Sequence, residues 1–161
     1  MNKSIIDKLK QIQLIIFDLE GVLLIQSEIN DQLIDNLLNS VEKAVKDFKE
    51  RKIDFAIITA RQHDELIARL EEIPDCNVLD SSIDKVSAAE KIIKSKQLNC
   101  NNVFFIGDGI LDIPLLRKCG LSAAPKSAKR EVKRVVDFII NSSNSNEIFK
   151  EILQLFDKIK S

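Results

Sequence analysis

A doubly wound (Rossmann-like) α/β fold, a mainly parallel sheet with helices on both faces, is what this 161-residue sequence predicts. Two observations carry the prediction. Short apolar runs alternate along the chain with amphipathic stretches of helical period, the order expected of β-α units. The runs are apolar at successive positions, as strands buried on both faces must be. A third observation places the chemistry. Several runs stop abruptly at a polar residue, and ligands in such sheets bind at the carboxyl ends of the strands.

The elements follow in order. Residues 2–10 predict a short amphipathic helix, and residues 12–17 the first strand, which runs into Asp18, Leu19, Glu20 and Gly21. From 31 to about 51, Leu33, Ile34, Leu37, Leu38, Val41, Ala44, Val45 and Phe48 recur at three- and four-residue spacing, which predicts a long helix. Residues 53–58 form a second strand ending at Thr59. A short helix from 64 to about 72 is closed by Pro74, and 77–79 is a brief third strand. Residues 82 to about 96 predict another helix, with Asp84 placed to cap it. The fourth strand, 102–106, ends in Gly107-Asp108-Gly109, and Pro114 suits the first turn of a helix over 112–118. A fifth strand is expected at 120–123, a helix from about 126 and a last strand at 137–140. The polar linker 141–145 leads into a C-terminal helix from about 146.

Composition bounds the possibilities. The length suits a single domain over residues 1–161 with a sizeable core. Lys and Arg total 24 against 25 Asp and Glu, so no charge excess points to nucleic acid or membrane as a partner. The one local bias is basic, Lys126, Lys129, Arg130, Lys133 and Arg134, and it reads as a solvated helix face. No apolar run is long enough to span a bilayer, and the start of the chain alternates charged and apolar residues, unlike a signal peptide. Three widely spaced cysteines with no C-x-x-C pair argue against zinc or a disulfide framework and for reduced thiols in the cytoplasm. His63, the single histidine, reads as a surface or capping residue.

Polar residues at three strand ends form one constellation: Asp18 and Glu20 after the first, Thr59 and Arg61 after the second, Asp108 and Asp112 after the fourth. Lys85 stands in the helix before that fourth strand. Each alone is common. Together, in this order, they resemble the four motifs of the haloacid dehalogenase superfamily of phosphotransferases, over about residues 12 to 140. The Thr59–Lys85 spacing and Gly107-Asp108-Gly109 through Pro114 are most similar to the small sugar-acid phosphatases of the Kdo-8-phosphate phosphatase group.

The resemblance implies a Mg2+-dependent phosphomonoester hydrolase working through an aspartyl-phosphate on a small phosphorylated sugar acid. It assigns Asp18 as nucleophile and Glu20 as acid and then base. Thr59 and Lys85, with Arg61, would hold the phosphoryl group. The Asp18 side chain, the Glu20 backbone carbonyl and Asp108 would be metal ligands, and Asp112 would act from behind, on Lys85 or on a water held by the metal. The chemistry is coherent: a carboxylate attacking an anionic ester needs a divalent cation, and Mg2+ prefers oxygen ligands.

Two departures qualify that picture. Glu20 stands where the superfamily's phosphatases usually carry aspartate. The added methylene moves the acid by about 1 Å, which predicts slower turnover. It also keeps open an alternative, a catalytically impaired protein that binds a phosphorylated ligand or a protein partner. Residues 21–31 and 59–85 are too short to hold a cap domain, so the chain reads as capless, with an open site unless another subunit covers it. The sugar-acid phosphatases close theirs as tetramers. A homo-oligomer is the corresponding expectation here, although the hairpin and glycine-rich tail they use are not evident. A mutase is a third reading, which an open site disfavours because water would intercept the phosphoenzyme.

Overall fold

The computed structural model describes residues 2–25 and 29–160; residues 26–28, within the 21–31 segment expected to be too short for a cap, lie outside the described residues. Its elements run α1 (Lys3–Leu9), β1 (Leu14–Asp18), α2 (Asp31–Glu50), β2 (Asp54–Ile58), α3 (Glu65–Glu71), β3 (Cys76–Leu79), α4 (Lys85–Ser95), β4 (Val103–Ile106), α5 (Ile113–Lys118), β5 (Leu121–Pro125), α6 (Arg130–Lys133), β6 (Phe138–Ile140) and α7 (Ser145–Lys160). The six strands form one sheet in the order β3-β2-β1-β4-β5-β6. Every neighbouring pair is parallel.

That order fixes where a ligand can enter. The chain builds outward from β1 to β2 and β3, then returns across the sheet to place β4 on the other side of β1. Parallel crossovers are right-handed, so reversing the direction of travel puts later helices on the opposite face. Accordingly α2 and α3 join α1 and α7 over one face, and α4, α5 and α6 cover the other. The crevice outside the carboxyl ends of β1 and β4 is the switch point, where such sheets bind ligands.

Alternation within each strand divides the core. Ile15 and Phe17 of β1 point into the α2–α7 layer, and Leu14 and Ile16 into the α4–α5 layer. Phe17 lies 5.1 Å from Phe149 and 5.3 Å from Phe55, and Phe48 lies beside Phe17 and Phe55. Aromatic side chains of this kind contribute about 1.5–3 kcal/mol each by burial. The helices start where the side chains dictate: Asn30, Asp64 and Asp84 accept the N–H groups of Leu33, Ile67 and Ser87.

Most expected elements are present, with ends set by tertiary bonds. The helix expected from 82 starts at Lys85, because the Ser82 N–H is drawn to the Thr59 carbonyl. Strand β5 runs on to Pro125, and the helix expected from 126 shrinks to Arg130–Lys133. The intervening turn is held by Ala128 N–H on the Pro125 carbonyl and Lys129 N–H on the Asp108 carbonyl. No separate cap domain is present among the described residues. None of their helices is long and apolar enough to cross a membrane.

Candidate active site

Strand β1 ends on Asp18, and the chain turns at once. Leu23 and Leu24 N–H groups both bond the Leu19 carbonyl, and Gly21 N–H bonds the Leu24 carbonyl. The Glu20 carbonyl takes part in none of these three bonds. Gly21 has φ +88°, and a Cβ there would fall 1.8 Å from Asp108 Oδ2. Glycine is therefore required twice over, for the turn and to let the β4 loop close on the β1 loop.

The second loop is organised by Asp112. Its Oδ2 accepts the backbone N–H groups of Asp108 and Gly109, both at 2.9 Å, and its Oδ1 accepts from Lys85 Nζ at 2.6 Å. Both oxygens are thus engaged in shaping the loop, and the side chain does not cap α5. Lys85, the first residue of α4, also reaches Asp18 Oδ1 at 3.0 Å. The ammonium is held between two carboxylates, and all three side chains are at most 6% exposed.

Glu20 faces the other side of the pocket. Thr59 donates its hydroxyl to Glu20 Oε2 at 2.6 Å, and Arg61 Nη1 approaches Glu20 Oε1 at 3.4 Å. Arg61 is itself fixed by Asp64, and its N–H bonds Thr59 Oγ1. The Glu20 carboxylate is therefore separate from the aspartate cluster and anchored to β2's loop.

Electrostatics single out the cluster. Burial, and then the nearby Asp112 charge, push the Asp18 carboxyl up to about 9. Burial also raises Asp108. Burial opposes ionisation of Asp112 too, but its hydrogen bonding and the Lys85 charge outweigh that and hold it below its usual value. Lys85 is disfavoured by burial and more than compensated by Asp18 and Asp112, so its ammonium is held above the ordinary range.

Asp18, Asp108 and Asp112 present carboxylate oxygens within 4.8 Å of one another. Three carboxylates with one ammonium sum to −2 when all are ionised, and burial makes that excess expensive. A divalent, oxygen-preferring cation fits this donor set: it would balance the charge and keep Asp18 ionised. The site opens into a cavity of about 310 Å3 lined by Asp18, Glu20, Lys85, Asp112, Ile110 and Lys129 among others. A wider depression of about 550 Å3 lies against α2 and the start of α7, shares no lining residue with it and contains no such cluster.

The sequence-predicted residues thus fall into two adjoining groups, Asp18, Lys85, Asp108 and Asp112 in one and Glu20, Thr59 and Arg61 in the other. His63 is exposed and paired with Glu71. Lys129 was grouped with a solvated helix face, yet it lines the cavity. Its position just past Pro125, at the same sheet edge as Asp18 and Asp108, is the signal that would have found it.

Comparison with known proteins agrees with this geometry. Residues 74–152 match the family model for haloacid dehalogenase-like hydrolases. The 3-deoxy-D-manno-octulosonate 8-phosphate phosphatase KdsC of Haemophilus influenzae is 24% identical over 148 residues, 90% of this chain and 82% of that protein. The phosphoglycolate phosphatase of Methanopyrus kandleri is 30% identical over 77 residues, 48% of this chain and 33% of that one. Among solved structures, the 3-deoxy-D-manno-octulosonate 8-phosphate phosphatase of Moraxella catarrhalis, in complex with magnesium, phosphate and KDO, superposes with a TM-score of 0.82. It is 21% identical, over 99% of this chain and 93% of that one. The strand order, the aspartate cluster and these likenesses agree: the chain is related to the haloacid dehalogenase-like hydrolases and is similar to the KdsC group, with no cap domain among the described residues.

Proposed function

We propose that this hydrolase releases phosphate from a small phosphorylated sugar acid through a covalent intermediate on Asp18. The reaction class is that of a Mg2+-dependent phosphatase acting on a small phosphorylated substrate. The observation that carries the reading is the buried Asp18–Lys85–Asp112 arrangement with Asp108 beside it, at the switch point of the sheet. The sugar-acid part draws on the KdsC relatives.

Each residue's part follows from its position. Asp18, at the mouth of β1, is the carboxylate able to bond phosphorus. Lys85 holds it in place and offers positive charge to the transferring group. Asp18, Asp108 and the Glu20 carbonyl would hold the Mg2+, with Asp112 fixing the loop that carries Asp108. That site would supply positive charge to offset the phosphate and polarise its oxygens when loaded. Glu20 gives its proton to the leaving alkoxide as the bond to phosphorus breaks, then takes one from the water that attacks the aspartyl-phosphate. Phosphate leaves, and Asp18 is restored. Thr59 and Arg61 hold Glu20 and would contact the phosphoryl oxygens. The binding-only alternative rested on Glu20, which lies outside the aspartate cluster.

Hydrolysis of p-nitrophenyl phosphate with and without Mg2+, set against Asp18→Asn, tests the reaction class. Mg2+-dependent turnover that disappears in the variant is expected; equal release by both proteins would end the reading. Preference for 3-deoxy-D-manno-octulosonate 8-phosphate over neutral sugar phosphates tests the substrate class.

A further inference from the structure

Among the described residues the site presents three cationic side chains, and two are already paired. Lys85 is clamped by Asp18 and Asp112. Arg61 is paired with Asp64 and Glu20. Lys129 differs. It is exposed, lines the same cavity, and among the described residues no carboxylate pairs with it. Nor is its placement casual, because its backbone N–H bonds the Asp108 carbonyl at 3.3 Å, tying this turn to the acidic loop. Lys126 and Arg130, also exposed, add positive charge on either side of it. Ile110 and Leu111 line the same cavity, 51% and 60% exposed, an apolar surface with no cap domain above it among the described residues.

We propose that Lys129 is a specificity residue that binds a second anionic group, a carboxylate, on the leaving part of the substrate, while Ile110 and Leu111 lie against its carbon skeleton. The proposal rests on the phosphatase reading and adds what that reading lacks, a residue that tells a phosphorylated acid from a phosphorylated alcohol. The physical reason is charge matching at the mouth. Lys85 and Arg61 are engaged with the catalytic carboxylates and the phosphoryl group, so the remaining cation is available to the rest of the ligand. An exposed ammonium contributes modestly and is screened by salt. Lys129 therefore sets a preference, and it is not a catalytic residue.

A matched pair of esters reads the effect. 3-Phosphoglycerate and glycerol 3-phosphate have the same carbon skeleton and differ in a carboxylate against a hydroxymethyl group. The wild-type protein with Mg2+ is expected to favour 3-phosphoglycerate in kcat/KM by about five- to tenfold at low salt, the range of a charge-assisted contact at a partly exposed site. Lys129→Ala collapses that ratio toward one, Lys129→Arg retains it, and added KCl lowers it in the wild type. A wild-type ratio near one, or a ratio that survives Lys129→Ala, overturns the proposal. So does an equal loss for both esters, which would assign Lys129 to the phosphoryl group. Turnover of p-nitrophenyl phosphate, which has no carboxylate, judges the phosphatase reading separately. Calorimetric binding of the two esters to Asp18→Asn with Mg2+ extends the comparison to a protein without turnover. There, equal binding or none overturns the Lys129 assignment.

Discussion

Two regions separated by a single peptide bond obey opposite rules. Phe17 belongs to an aromatic cluster with Phe48, Phe55 and Phe149, sealed under α2 and α7. Asp18, the next residue, is also buried but sits among Lys85 and Asp112. In the first region every buried group gains by leaving water. In the second, burial works against the charged forms, and Asp18 is pushed up to about 9. This protein draws its stability from beneath the sheet's carboxyl edge and gives up some of it at that edge. Buried ion pairs are weak sources of stability, and functional sites are where a fold tolerates local conflict.

Asp18→Asn sets the two regions against each other most directly. Turnover should fall by about 10,000-fold or more, as expected when a nucleophile is removed. The melting temperature should hold or rise, because one strained carboxylate is gone. Phosphate release and thermal unfolding on the same sample check both halves, and a large loss of stability would contradict the contrast. Phe48→Ala should do the reverse. It should cost about 3–5 kcal/mol of stability in urea titrations, with kcat changed little at temperatures where the variant is folded.

Glu20 offers an intermediate effect. Glu20→Gln should lower kcat about 100-fold by removing the acid–base group, with stability almost unchanged. Glu20→Asp draws the carboxyl back from Thr59 by about 1 Å and should raise kcat; an unchanged or lower value would retire the idea that the extra methylene slows the enzyme. The smallest effect lies far from the site. Glu151 accepts from Asn141 N–H and from the N–H and hydroxyl of Ser142, tying the linker to α7. Burial by itself would raise its carboxyl, but those bonds outweigh it and hold the group below its ordinary 4.5. The stabilisation is therefore present above pH 4.5 and lost as pH falls through the lower folded value. Glu151→Ala should cost about 1 kcal/mol at pH 7 and much less near pH 3, as paired urea titrations would read.

Much of the architecture was legible because burial on both faces writes a strand as an unbroken apolar run. Ile53 to Ile58 and Asn102 to Ile106 were recognisable for that reason, within a residue of β2 and β4. The polar residues at their ends stood out against that background. The segment after β5 was not legible. Its basic, helix-compatible residues suggested a helix from 126, but a bond to the Asp108 carbonyl holds Lys129 in a turn. Local propensity is a weak prior, and a single long-range bond can override it.

By itself the sequence determined the α/β class and the succession of elements, since periodicity is a local property, and its resemblance to a known superfamily singled out seven candidate site residues. Only the tertiary structure decided how those residues divide. It gave Asp112 to two backbone N–H groups and Lys85, anchored Glu20 on Thr59 and Arg61, and left Lys129 facing the cavity. These are contacts between side chains from 20 or more residues apart, or between a side chain and a loop it shapes. Their geometry depends on which strands become neighbours at the switch point, and no local pattern records that.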